Sequence, residues 1–190
     1  MPLVSLIGLA VFSLILVLPF GNGPNSLRIP FLLGFAGLLL FLALIAAWIL
    51  GVTLFFPNGE LAQLVKDRHR LIQGHIDLLM MAQFLFIFSG LFRLYAVEPP
   101  RWVLALCCYG AFFNAFGLAS AAFIAKLPGA VAVPPPQPSF PISAALSFTA
   151  VTVGFLAATA LILHAAWRSW RDARHSLSAS RDASIEGEAV

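Results

Sequence analysis

Charge is what this sequence has least of. Charged side chains make up 10% of its 190 residues, against about 25% in a soluble globular domain, so a water-soluble fold is excluded at the outset. Cysteine is nearly absent too: Cys107 and Cys108 are adjacent within one apolar run. Neighbours in sequence do not readily bridge each other, which removes a disulfide framework and a metal-ligand spacing and leaves two small buried hydrophobes. No nucleophilic triad, phosphate-cradling glycine loop, paired carboxylates or zinc spacing occurs. With so few polar groups inside, hydrolysis of a polar substrate is disfavoured, whereas chemistry that needs one metal centre in an apolar pocket is compatible with the composition. The N-terminus carries neither a basic start nor a small-residue cleavage site, and so predicts a first membrane helix in place of a signal peptide.

What is present is hydrophobicity, at 61% of residues. Apolar runs at 2–20, 31–56, 71–97, 101–124 and 141–167 are each about as long as a bilayer crossing requires. Lipid-facing backbone must satisfy its own hydrogen bonds, and the runs lack the alternation of barrel strands, so all are expected to be helices. The expected fold is all-α, a multi-pass transmembrane bundle of five spans. Residues 1–30 form an extra N-terminal helix and loop, 31–170 a four-helix core, and 171–190 a disordered Ser-, Ala- and charge-rich tail. Between the last two spans, the Pro-rich stretch 131–140 predicts an extended connector. The net charge of +3 and pI near 9.3 read as headgroup contacts and topology signals, with no nucleic-acid partner. The expected setting is a cell membrane of the bacterial inner-membrane type.

Arginines 168, 171, 174 and 181 argue for a cytoplasmic C-terminus. An odd number of spans then sets Lys66, Arg68 and Arg70 on the other side. An anionic ligand on those residues would relieve the conflict.

The stretch around which the chain is organised is residues 68–81, where a long apolar segment opens with Arg68-His69-Arg70 and carries His75 and Asp77 into lipid. A charged group at membrane depth costs about 2.5–3.5 kcal/mol on insertion scales, so each should face protein, find a partner and be suspected of function. On a helix at about 100° per residue, Arg68, Leu71, Ile72, His75, Leu78, Leu79, Ala82 and Phe86 share a face; Arg70, Gln73, Gly74, Asp77, Met80, Met81 and Phe84 share one expected to neighbour it. His75 reads either as a neutral imidazole bonded to a backbone carbonyl or glutamine, or as a ligand of haem iron or another metal. Asp77 reads as a local partner of Gln73 or Arg70, or as a second-sphere acceptor or proton-transfer group. In the next span Cys107, Gly110, Ala111, Asn114, Gly117, Leu118 and Ala121 form a small-residue face with one amide, suited to another helix or to a flat ligand. Tyr109 beside it could donate a hydrogen bond. Ser143, Ser147, Ala150, Gly154 and Ala158 make a similar face in the last span, and His164 lies near its end.

The stretch Gly74-His75-Ile76-Asp77-Leu78-Leu79-Met80-Met81-Ala82-Gln83-Phe84-Leu85 resembles the hydroxylaminobenzene mutases, which carry a small residue, then His, an apolar residue and an acidic one. Tyr109-Gly110-Ala111-Phe112-Phe113-Asn114 is similar to their Tyr-Gly and Asn pattern, and Lys126-Leu127-Pro128 to the Lys and Pro where that span ends. Styrene oxide isomerases are a related branch with four-helix protomers that assemble as trimers and bind haem b between subunits. The resemblance covers roughly residues 38–167.

It implies haem b held by His75 as axial metal ligand, with Arg68 and Arg70 binding the propionates, Asn114 and Asp77 as catalytic residues, a homotrimer, and a small aromatic hydroxylamine or epoxide as substrate, rearranged by a Lewis acid without net redox change. A non-catalytic haem-binding or helper protein on the same scaffold is the alternative. Two positions depart from the pattern: Met81 stands where the family has Asn, and Leu118 where the epoxide-isomerising branch has Tyr. Epoxide rearrangement is therefore less expected than haem binding. Met81 and His75, on one helix, cannot both ligate the same iron within one chain.

Overall fold

A computed structural model describes residues 2–21, 26–124 and 142–188. Among them the chain is all-helical: α1 Pro2–Val17, α2 Arg28–Phe55, α3 Glu60–Leu64, α4 Arg68–Leu94, α5 Arg101–Ala121 and α6 Ile142–Glu188. Four of these, α2, α4, α5 and α6, are long and apolar enough to cross a membrane, which makes the chain an integral membrane protein by length and composition. The expected fifth crossing, α1, has 16 residues. That is about 24 Å of helix where about 20 residues are usual for a span.

Two further expectations shift. α4 begins before the apolar run 71–97: Arg68, His69 and Arg70 form its first turn, because Asp67 caps it, the Arg70 backbone N–H donating to Asp67 Oδ1 at 3.2 Å. The tail expected to be disordered from residue 171 continues as helix to Glu188. No proline interrupts it and its only glycine is Gly187, so nothing local stops the helix once the apolar part has started it. The Pro-rich connector 131–140, the motif at 126–128 and the turn residues 22–25 lie outside the described residues.

Consecutive spans run antiparallel. α2 packs on α4, α4 on α5 and α5 on α6, while α1 lies against α5. Glycine sets the closest approaches. A Cβ on Gly74 would stand 2.6 Å from the Ala119 backbone nitrogen, one on Gly154 2.9 Å from that of Cys107, and one on Gly110 would overlap Val151. Backbones meet there because the side chain is missing. The α2–α4–α5 core fills with Leu32, Ala36, Leu39, Ala43, Leu78, Ala82, Leu85, Leu104 and Ala111.

The ends of the helices are tied by polar contacts. Backbone N–H groups of Lys66 and Asp67 both donate to the Ala122 carbonyl, at 2.9 and 3.0 Å, closing the C-terminus of α5. At the other end Arg28 Nε lies 3.2 Å from Glu98 Oε1 and Arg28 Nη1 donates to the Pro99 carbonyl at 3.2 Å. The start of α2 is thus fastened to the α4–α5 turn. Just past the C-terminus of α4, Ala96 takes φ 51°, a left-handed position that glycine usually fills.

Candidate functional site

His75 lies on the side of α4 that faces α2, half-buried, with Nδ1 3.0 Å from the Ala43 carbonyl oxygen. A carbonyl only accepts, so Nδ1 carries the hydrogen. In the neutral ring Nε2 then keeps its lone pair. Small residues make this contact: Ala43 is buried in α2 and leaves its carbonyl within reach of a side chain on the neighbouring helix. The expected carbonyl-bonded imidazole is therefore found, and it is also the arrangement that orients a ligating histidine, with one nitrogen anchored and the other presented.

Asp77 is 8% exposed and points the other way. Asn114 Nδ2 of α5 donates to its Oδ2 at 2.8 Å. This pairs the two residues expected to be catalytic, across the α4–α5 seam where Gly74 and Ala119 bring the helices together. Neither Gln73 nor Arg70 is the partner of Asp77: Arg70 Nε is engaged with Asp67 Oδ2 at 3.5 Å. The face carrying Asp77 is not the neighbour of the His75 face, as residues two apart on a helix are separated by about 200°. Within one chain His75 and the Asp77–Asn114 pair look away from each other.

The arginines divide in the same way. Arg68 is seven residues before His75, so it stands about 10 Å above it on the same face. Arg70 is on the Asp77 side, and both side chains are exposed. Met81 is packed in the core at 9% exposure, and Leu118, at 38%, is an apolar residue on the α5 surface.

No group of three His, Cys, Asp or Glu residues that could hold a metal ion occurs among the described residues. A porphyrin brings four nitrogens of its own and asks the protein for one axial ligand. The donor set around His75, one anchored imidazole with Arg68 above it, fits that demand.

Sequence reasoning did not anticipate the aromatic contacts beside the Asp77 face. Phe84 of α4 meets Phe155 of α6 with ring centroids 5.4 Å apart, and Phe88 meets the same ring at 5.1 Å. The signal was available, since Phe84 and Phe88 are four residues apart and follow Asp77 on nearly one stripe. No protein-family model, curated protein or solved structure matches this chain.

Proposed function

We propose that this protein is a membrane-embedded isomerase of the mutase type, which binds haem b through His75 and rearranges a small aromatic hydroxylamine. The observation that carries the reading is the Nδ1 contact of His75 to the Ala43 carbonyl, which leaves Nε2 as a free donor atom inside a membrane-spanning helix. When bound, the haem supplies a Lewis acid in an apolar setting. Arg68, about two turns above on the same face, suits a propionate.

The remaining chemistry falls to Asp77 and Asn114. Converting an arylhydroxylamine to an aminophenol breaks N–O, forms C–O on the ring, and moves a proton from ring carbon to nitrogen, with no atom gained or lost. Asp77 is the group able to take the ring proton and return it to nitrogen. Asn114 holds Oδ2 of Asp77 through its Nδ2 and keeps its own carbonyl oxygen for a substrate N–H or O–H.

Because His75 and the Asp77–Asn114 pair face opposite ways on α4, they serve one ligand only if it sits between two copies of the chain, His75 from one and the pair from the next. Such a head-to-tail contact gives a closed ring when its rotation closes. From the resemblance to the mutases and styrene oxide isomerases, we propose that this ring is a homotrimer with a shared site. A haem-binding or helper protein without catalysis is the second reading; it is favoured by Met81 and Leu118, apolar at positions where a polar group would be expected to contact substrate.

The visible spectrum of detergent-purified protein from haem-replete cells tests the proposal. A Soret band is expected, and His75→Ala should abolish it while leaving the helical circular dichroism intact. A wild-type sample with no Soret band sinks both haem readings. Turnover of phenylhydroxylamine to aminophenol, lost in Asp77→Asn, separates the catalyst from the helper.

A further inference from the structure

α6 outruns its neighbours. Gly110 faces Val151 and Gly154 faces Cys107, so the antiparallel register sets Arg101, the first residue of α5, level with Ala160. Beyond that point α6 continues to Glu188, about 42 Å of further helix. The first part of this extension is apolar apart from His164 and ends in Trp167 and Trp170, whose ring centroids lie 5.1 Å apart with the planes inclined at 35° and which are 60% and 46% exposed. Paired, exposed tryptophans at the end of an apolar helix mark the headgroup level of a bilayer.

Interleaved with and following them are Arg168, Arg171 and Arg174, all exposed. Three residues apart, they cover an arc of about 120° over roughly 9 Å of axis, the depth of a headgroup layer. Arg174 lies 3.9 Å over the Trp170 ring, which holds its guanidinium at the level of the indoles. The acidic residue among them is Asp172, 3.9 Å from Arg171 Nε and 73% exposed. Such a pair leaves the segment with net positive charge.

We infer that this end of α6 is a collar for anionic phospholipid headgroups, taking their phosphates on Arg168, Arg171 and Arg174 while the acyl chains lie along the apolar surface below Trp167. Guanidinium groups suit phosphate because they donate two parallel hydrogen bonds. An arginine arc at headgroup depth also gains from the negative potential of an anionic leaflet. The inference rests on α6 alone and stands or falls separately from haem at His75.

The test uses the full chain in a nonionic detergent, titrated with dioleoylphosphatidylglycerol or dioleoylphosphatidylcholine, with retained lipid counted by native mass spectrometry. Wild type should retain the anionic lipid preferentially. Changing Arg168, Arg171 and Arg174 together to Gln should weaken that preference by about tenfold or more, whereas changing all three to Lys should keep most of it. Lys66→Gln, at the other end of the bundle, should leave it intact. A glutamine triple variant that keeps the preference overturns the proposal, as does wild type that retains both lipids equally. Displacement of the lipid by millimolar inorganic phosphate would overturn it as well, by showing that the collar takes the free anion.

Discussion

Asp77 stands nine residues below Arg68 on α4, about 13 Å down the axis. A carboxyl group so deep in an apolar helix is tolerated only with a partner, and the donor it has is the Asn114 amide at 2.8 Å. Asn114→Ala should therefore lower the stability of the detergent-solubilised protein by about 1–3 kcal/mol, read as a fall in Tm, since it strands an acceptor without replacing its hydrogen bond. In the double variant Asp77→Leu with Asn114→Ala, most of that penalty should vanish, because both polar groups are gone. Additive losses in the two single variants would mean that the pair is not coupled. The need for a partner was legible in the residues 68–81. Its identity was not: Gln73 and Arg70 were within local reach on the same helix, and the choice of Asn114, 37 residues away, is made by the α4–α5 crossing.

Helix crossings depend on which small residues meet. Small residues are only partly used as contacts: Gly110 and Gly154 lie hard against the neighbouring helix, whereas Gly34 and Gly37 of α2 have nothing within 4 Å of a would-be Cβ. Ala36, Ala43 and Ala46 carry the buried side of α2 instead. Gly110→Leu should consequently push α5 off α6 and cost at least about 1–3 kcal/mol, comparable to other overpacked cores. Gly34→Ala should be neutral or slightly stabilising through helix propensity. Thermal unfolding in one detergent compares them directly, and equal Tm values would contradict the crossing described here. Sequence periodicity shows that a face is small; it carries no record of whether lipid or another backbone lies opposite.

Alternating spans sort the described basic residues to two ends. Arg28, Arg93, Arg101, Arg168, Arg171, Arg174 and Arg181 collect at one, and Lys66, Arg68 and Arg70 at the other. The majority end should be cytoplasmic. A C-terminal green fluorescent protein fusion should then fluoresce in cells and a C-terminal alkaline phosphatase fusion should be inactive; the reverse pattern would invert the orientation. The clash with Lys66, Arg68 and Arg70 persists with four spans or five, since three crossings separate them from the tail either way. Part of it is relieved locally, because Lys66 Nζ donates to the Gln63 carbonyl and Arg70 is held by Asp67.

By itself the sequence determined that this is a helical membrane protein, located the four helices long enough to cross while adding a fifth, and required that His75, Asp77 and Asn114 be satisfied. Hydrophobic runs and buried charge are properties of single segments, so segment-level physics suffices to find them. Only the tertiary structure decided that His75 is anchored on α2 while Asp77 is paired with α5, and that α6 extends past its neighbours. Those outcomes depend on the rotation and register of one helix against another, which are set by close backbone contacts at a few glycines and alanines distant in sequence.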